Sequence, residues 1–214
     1  MNLINDDCMN ILPDYADDYF DLAIVDPPYA LKRNQRGDLR LGGRQSNSNS
    51  NSRGNYSEQI SWDVTPTKEY FDELFRVSKN QIIWGANNFE LPTSEYFCVW
   101  NKKQTVENFA SAELGWVSMG LKTPAKVFEY SIHKHNQIDK IHPTQKPVAL
   151  YRWLLETYSE PTDKILDTHL GSGSIAIACH YFGTKEFVGI EIDKEYFDMA
   201  SERIEKQTRQ IKLL

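Results

Sequence analysis

KILDTHLGSGSIAIA, residues 164–178, passes from an apolar run ending on Asp167, through Gly171 and Gly173, into a second apolar run of small residues. The first run reads as a strand and the second as a helix opening at Ser174. Two glycines between them permit a tight turn and close backbone approach to a ligand, and the helix presents its positive end there. Strand, glycine turn and helix in that order form the unit of a parallel α/β sheet.

The same rhythm extends along the chain. Short apolar runs predict strands at 2–4, 22–25, 81–84, 97–100, 114–118, 126–130, 164–167 and 187–190. Helical spacing predicts helices at 8–12, 67–77, 147–158, 174–181 and 194–206, with Pro147 in a first helical position and Asp193 capping the last. At 214 residues, 40% of them apolar, the chain has the length and composition of one globular domain, 1–214.

No apolar run approaches the ~20 residues of a membrane span, so a soluble, cytoplasmic protein is expected. Cys8, Cys98 and Cys179 are far apart and read as reduced core thiols. His133, His135 and His142 lack a companion ligand at zinc spacing, so no metal is expected. The net charge is −6, yet 32–56 carries Lys32 and five arginines against Asp38 alone, a local +5. Residues 33–57 hold almost no apolar side chain, and 46–52 alternates Ser with Asn. A flexible loop that orders on a phosphate-bearing partner is expected there.

Eighteen residues beyond Gly173, Glu191 ends the next strand, where an acid can accept both hydrogen bonds of a ribose diol. A nucleoside cofactor follows, without its identity. Gly171, Gly173 and Ala176 also satisfy the dinucleotide fingerprint, which leaves a nicotinamide dehydrogenase open.

AIVDPPYA, residues 23–30, sharpens the choice. Asp26 leaves a strand end, and Pro27 and Pro28 stiffen the backbone so that the Asp26 carboxylate and the Pro27 carbonyl can face one point. Two fixed acceptors suit an amino group, and Tyr29 offers a flat face to the ring that bears it. Accepting both amine hydrogens localises a lone pair otherwise delocalised into the ring, which favours attack on an activated methyl.

DPPY at 26–29, HPTQKP at 142–147, DTHLGSGS at 167–174 and GIEIDKEYFDMASERI at 189–204 together resemble the DNA amino-methyltransferases that use S-adenosylmethionine. Catalytic motif first and cofactor loop last is the order of the β class, and IIWGANNF and VWNK are similar to stretches of small phage or prophage members. The resemblance implies a Rossmann-like methyltransferase fold: a seven-stranded, mostly parallel sheet with helices on both faces and circularly permuted motif order. It implies that Asp26, Pro27, Pro28 and Tyr29 hold a flipped base. Asp167, Gly171 and Gly173 would meet the methionine part of the cofactor, Glu191 its ribose, Asp7 its adenine, and Thr144 and Lys146 its carboxylate. His169 stands where Phe is usual. A target-recognition segment is implied around 102–140, where Lys102, Lys103, Lys122, Lys126, Lys134 and Lys140 could flank duplex backbone.

The expected activity is methyl transfer to the exocyclic amine of adenine in double-stranded DNA, because an acid opens DPPY. The same chemistry on cytosine and a catalytically silent DNA-binding relative are the alternatives. A second copy of the chain and a cognate restriction nuclease stay open as partners.

Overall fold

All eight apolar runs become strands of one sheet. In the computed structural model, which describes residues 1–29, 64–104, 107, 110–135 and 140–209, they are β1 (Asn2–Asn5), β2 (Phe20–Val25), β3 (Ser78–Trp84), β4 (Phe97–Asn101), β5 (Ala112–Val117), β6 (Lys126–Glu129), β7 (Lys164–Asp167) and β8 (Glu186–Glu191). Their spatial order is β1-β8-β7-β2-β3-β5-β4-β6. Every pairing is parallel except those of β5, which runs against both neighbours.

The count of eight corrects the seven that the resemblance implied. β6 closes the sheet, pairing in parallel along β4 from Cys98 opposite Lys126 to Asn101 opposite Glu129. The Trp100 indole N–H donates to the Tyr130 carbonyl at 3.0 Å, which pins the end of this short strand. Charged Lys126 and Glu129 suit an exposed edge.

The helices are α1 (Cys8–Ile11), α2 (Lys68–Val77), α3 (Ile132–His135), α4 (Val148–Tyr158), α5 (Ser174–Phe182) and α6 (Lys194–Thr208). Strand alternation sorts the two faces. Leu22 and Ile24 of β2 pack with Leu150 and Leu154 of α4, Ile175 of α5 and Ile204 of α6. Ala23 and Val25 point to the opposite side, with Leu12, Tyr70 and Leu74. Leu150, Leu154 and Leu155 are fully buried, each contributing about 2 kcal/mol of apolar transfer.

Asp193 caps α6, its carboxylate accepting from the Glu195 and Tyr196 N–H groups. Pro147 lies one residue earlier than expected. It is the cap of α4, with extended backbone (φ −66°, ψ 141°), and its carbonyl accepts from the Leu150 N–H. The single turn α3 was not expected, since four residues are too few for a periodic signal. The loop expected at 33–57 and parts of the 102–140 segment lie outside the described residues. Among the described residues no helix is long and apolar enough to cross a membrane.

β1, β8, β7 and β2 are neighbours running in one direction, so their ends gather along one edge of the sheet. Asp7, Glu191, Asp167 and Asp26 stand at or just past those ends. Ligands bind open α/β sheets beyond this edge.

Candidate active site

Asp167 ends β7 fully within the protein, 2% exposed, and its carboxylate accepts from the His169 N–H at 3.0 Å. Burial pushes its pKa up to about 8 against that backbone donor, with Asp26 and Glu191 adding repulsion. The glycine turn then hangs on Glu191, whose two carboxylate oxygens accept from Gly171 N–H at 2.7 Å and Asp193 N–H at 3.0 Å. Each oxygen keeps a lone pair for a further donor.

Gly173 serves the helices. It holds φ 70°, and a methyl there would meet Cδ1 of Ile204 at 2.6 Å, so its bareness lets α5 approach α6. From α6, Arg203 donates to the Ser172 carbonyl at 2.6 Å and to the Ser174 hydroxyl at 3.1 Å, fastening the turn from behind. His169 lies edge-on to Tyr70, ring centres 5.3 Å apart, with Nδ1 2.9 Å from the Thr168 hydroxyl. Burial drops its pKa to about 4, so the ring is neutral at pH 7.

At the end of β2, one Asp26 oxygen is paired with the Lys146 ammonium. The other, Oδ1, is buried and meets no hydrogen-bond partner among the described residues. Lys146 also reaches Glu113 of β5 at 3.2 Å, and Glu113 binds Lys102 at 2.5 Å. Asp26, Lys146, Glu113 and Lys102 therefore form a chain of alternating charge. Burial alone would raise Glu113, but the two lysines outweigh it and hold its carboxyl at about 2. Burial likewise opposes charge on Lys146, and Asp26 and Glu113 overcome it, keeping the ammonium protonated. Burial raises Asp26; Lys146 pulls it down and Glu113 pushes it up.

Tyr29 is positioned by Gly85, which follows β3 with φ 69°. A methyl on Gly85 would sit 2.9 Å from the Tyr29 ring, and Phe89 meets that ring edge-on at 6.5 Å. Gly85→Ala should displace the tyrosine and slow turnover about tenfold while cofactor affinity is nearly unchanged, checked by titration calorimetry beside a rate assay.

One cleft of about 300 Å³ joins these parts. Asp7, Asp26, Pro27, Pro28, Tyr29, Thr144, Lys146, Gly171 and Glu191 line it, whereas Asp167 and Gly173 stand behind its wall. Asp7 also caps α1, accepting from the Met9 N–H at 2.9 Å. The Thr144 hydroxyl lies 3.1 Å from Nδ1 of His142. Lys146, its side chain 4% exposed, reaches the cleft with its ammonium already paired with Asp26 and Glu113, partners the sequence did not indicate. Glu113 and Gly85 went unassigned in the sequence. A lone acid inside an apolar strand carries no spacing signal, and IIWGANNF shows its glycine without showing Tyr29 above it. Among the described residues no three His, Cys, Asp or Glu side chains group to hold a metal.

Known proteins resemble this chain. The chain is 40% identical over 85 residues to the Type II methyltransferase M.HpaI of Haemophilus parainfluenzae, a match covering 39% of this chain and 27% of that protein. It thus spans about a quarter of the M.HpaI length. To the Type II methyltransferase M.HinfI of Haemophilus influenzae it is 23% identical over 254 residues, covering 98% of this chain and 68% of the relative. The crystal structure of the M1.HpyAVI–SAM complex superposes with a TM-score of 0.58 at 18% identity, covering 94% of this chain and 98% of that one, which establishes a common fold. The DNA methylase profile matches residues 87–202, more than half of the 214, and takes in Glu113, Lys146, the glycine turn and Glu191; the chain belongs to the DNA methylase family.

Proposed function

We propose that this protein transfers a methyl group from S-adenosylmethionine to the exocyclic amine of adenine in a nucleotide flipped out of double-stranded DNA. The observation that carries the reading is Oδ1 of Asp26, a buried acceptor that meets no donor among the described residues, on a residue that lines the cleft at a sheet edge. An unmet acceptor costs about 1–3 kcal/mol, which an incoming N–H would recover.

The residues fit the cofactor. Glu191, with spare lone pairs at the end of β8, would take the ribose, Asp7 the adenine and Thr144 the carboxylate end. Gly171 brings bare backbone to the methionine part. Asp167 and Gly173 act from behind, shaping the turn. Bound there, S-adenosylmethionine supplies an electrophilic methyl: the amine lone pair forms the N–C bond as the S–C bond breaks, and sulfur keeps that pair as a neutral thioether.

Asp26 and the Pro27 carbonyl accept the amine hydrogens, localising the lone pair, and Asp26 receives the proton the product nitrogen sheds. Tyr29 stacks on the base, offsetting part of the few kcal/mol that extrusion from the duplex costs. The Asp at the head of DPPY favours adenine, and the motif order favours the β class.

Nucleoside mass spectrometry on methylation-free DNA incubated with the protein and labelled cofactor tests this. N6-methyladenine is expected. Methylcytosine alone would overturn the choice of base, and DNA retention without any label would mark a silent binder.

A further inference from the structure

Glu113 belongs to no motif, yet it joins the charge chain that ends on Asp26. It lies near the start of β5, where strand reversal brings it to the edge at which β2 and β3 finish. Its side chain is 22% exposed and each oxygen meets a lysine: Oε1 takes Lys102 at 2.5 Å, Oε2 takes Lys146 at 3.2 Å. The Lys146 ammonium lies over Trp84, 5.8 Å from the ring centre, and its side chain is 4% exposed, so the cation has little room to wander.

We propose that Glu113 is a positioning residue for Asp26, acting through Lys146: it shares the ammonium so that the Asp26 carboxylate stays basic enough to accept strongly from the substrate amine. This rests on the methyl-transfer reading of Asp26. Lys146 bound to Asp26 alone would neutralise the carboxylate and weaken it as an acceptor. With no Lys146, Asp26 and Glu113 would repel, one would take a proton, and a protonated Asp26 donates instead of accepting. Glu113 sets the balance between these extremes.

The groups that act on Asp26 come from several elements. Lys146 precedes α4, Glu113 lies on β5, Lys102 follows β4, Asp167 ends β7 and Tyr151 is on α4, while Tyr29, after β2, acts on Lys146. Lys146 and Lys102 favour its charged form and Glu113 opposes it, which supports opposite outcomes for opposite substitutions.

The experiment is the pH profile of single-turnover transfer from tritiated S-adenosylmethionine to methylation-free genomic DNA. For Glu113→Gln the acid limb should move down by about half a pH unit or more and the plateau fall about tenfold, with cofactor Kd unchanged. Glu113→Asp, which keeps the charge, should retain the wild-type limb. Lys146→Met should move the limb up by about one unit, and Lys102→Met up by less. Limbs that all stay put, or Glu113→Gln and Lys146→Met shifting the same way, would overturn the proposal. Should Glu113→Gln lose cofactor binding through misfolding, Lys102→Met, at the far end of the charge chain, decides: an upward limb supports the chain and an unmoved one refutes it. Failure of the methyl-transfer reading looks different, since the wild-type protein would then label no DNA at any pH.

Discussion

Asp26→Ala should cut single-turnover methyl transfer at least about a thousandfold while the Kd for S-adenosylmethionine changes by no more than about threefold. The two readouts separate because the residue, proposed to hold the base, follows β2, two strands across the sheet from Glu191 on β8. The fold tolerates the change: Lys146 keeps Glu113 as a partner, so no unpaired buried cation is created. Asp26→Asn should be nearly as slow, since with its oxygen kept by Lys146 the carboxamide turns an NH2, a donor, to the place where the amine needs an acceptor. Calorimetry beside a tritium-transfer assay checks both, and equal loss of binding and rate in Asp26→Ala would refute the assignment.

Glu191→Ala should act in the opposite way, weakening the cofactor about a hundredfold, the worth of two charge-assisted hydrogen bonds to a diol. Part of the effect is structural. The carboxylate also receives the Gly171 and Asp193 N–H groups, so its removal loosens the turn that must meet the ligand. Transfer at saturating cofactor should recover to within about tenfold of wild type, because the Asp26 corner is untouched. Calorimetry gives the affinity and a rate measured against cofactor concentration gives the recovery; an unchanged Kd would remove Glu191 from the cofactor site.

Strand positions were legible because buried parallel strands are continuous apolar runs, and even the weak run at 126–130 formed β6. The acids at strand ends were legible for the same reason: an acid that interrupts an apolar run marks where the sheet edge is reached. Lys146 was legible only as a cation inside HPTQKP. Its commitment to Glu113, 33 positions away, depends on β5 lying beside β3, which no local pattern encodes. Gly173 looked like a ligand contact, yet its neighbour is Ile204 on α6, so a glycine in a turn can be demanded from behind as well as in front.

The reversal of β5 has a further effect. Parallel strands bring only their finishing residues to a rim, and loops carry the rest, so side chains placed there inherit the wobble of a loop. A strand entering backwards delivers one of its first residues instead, and Glu113 stands there in register with Trp100 of β4. Glu113 is thus a post whose backbone is held by β4, against which the Lys146 ammonium is braced.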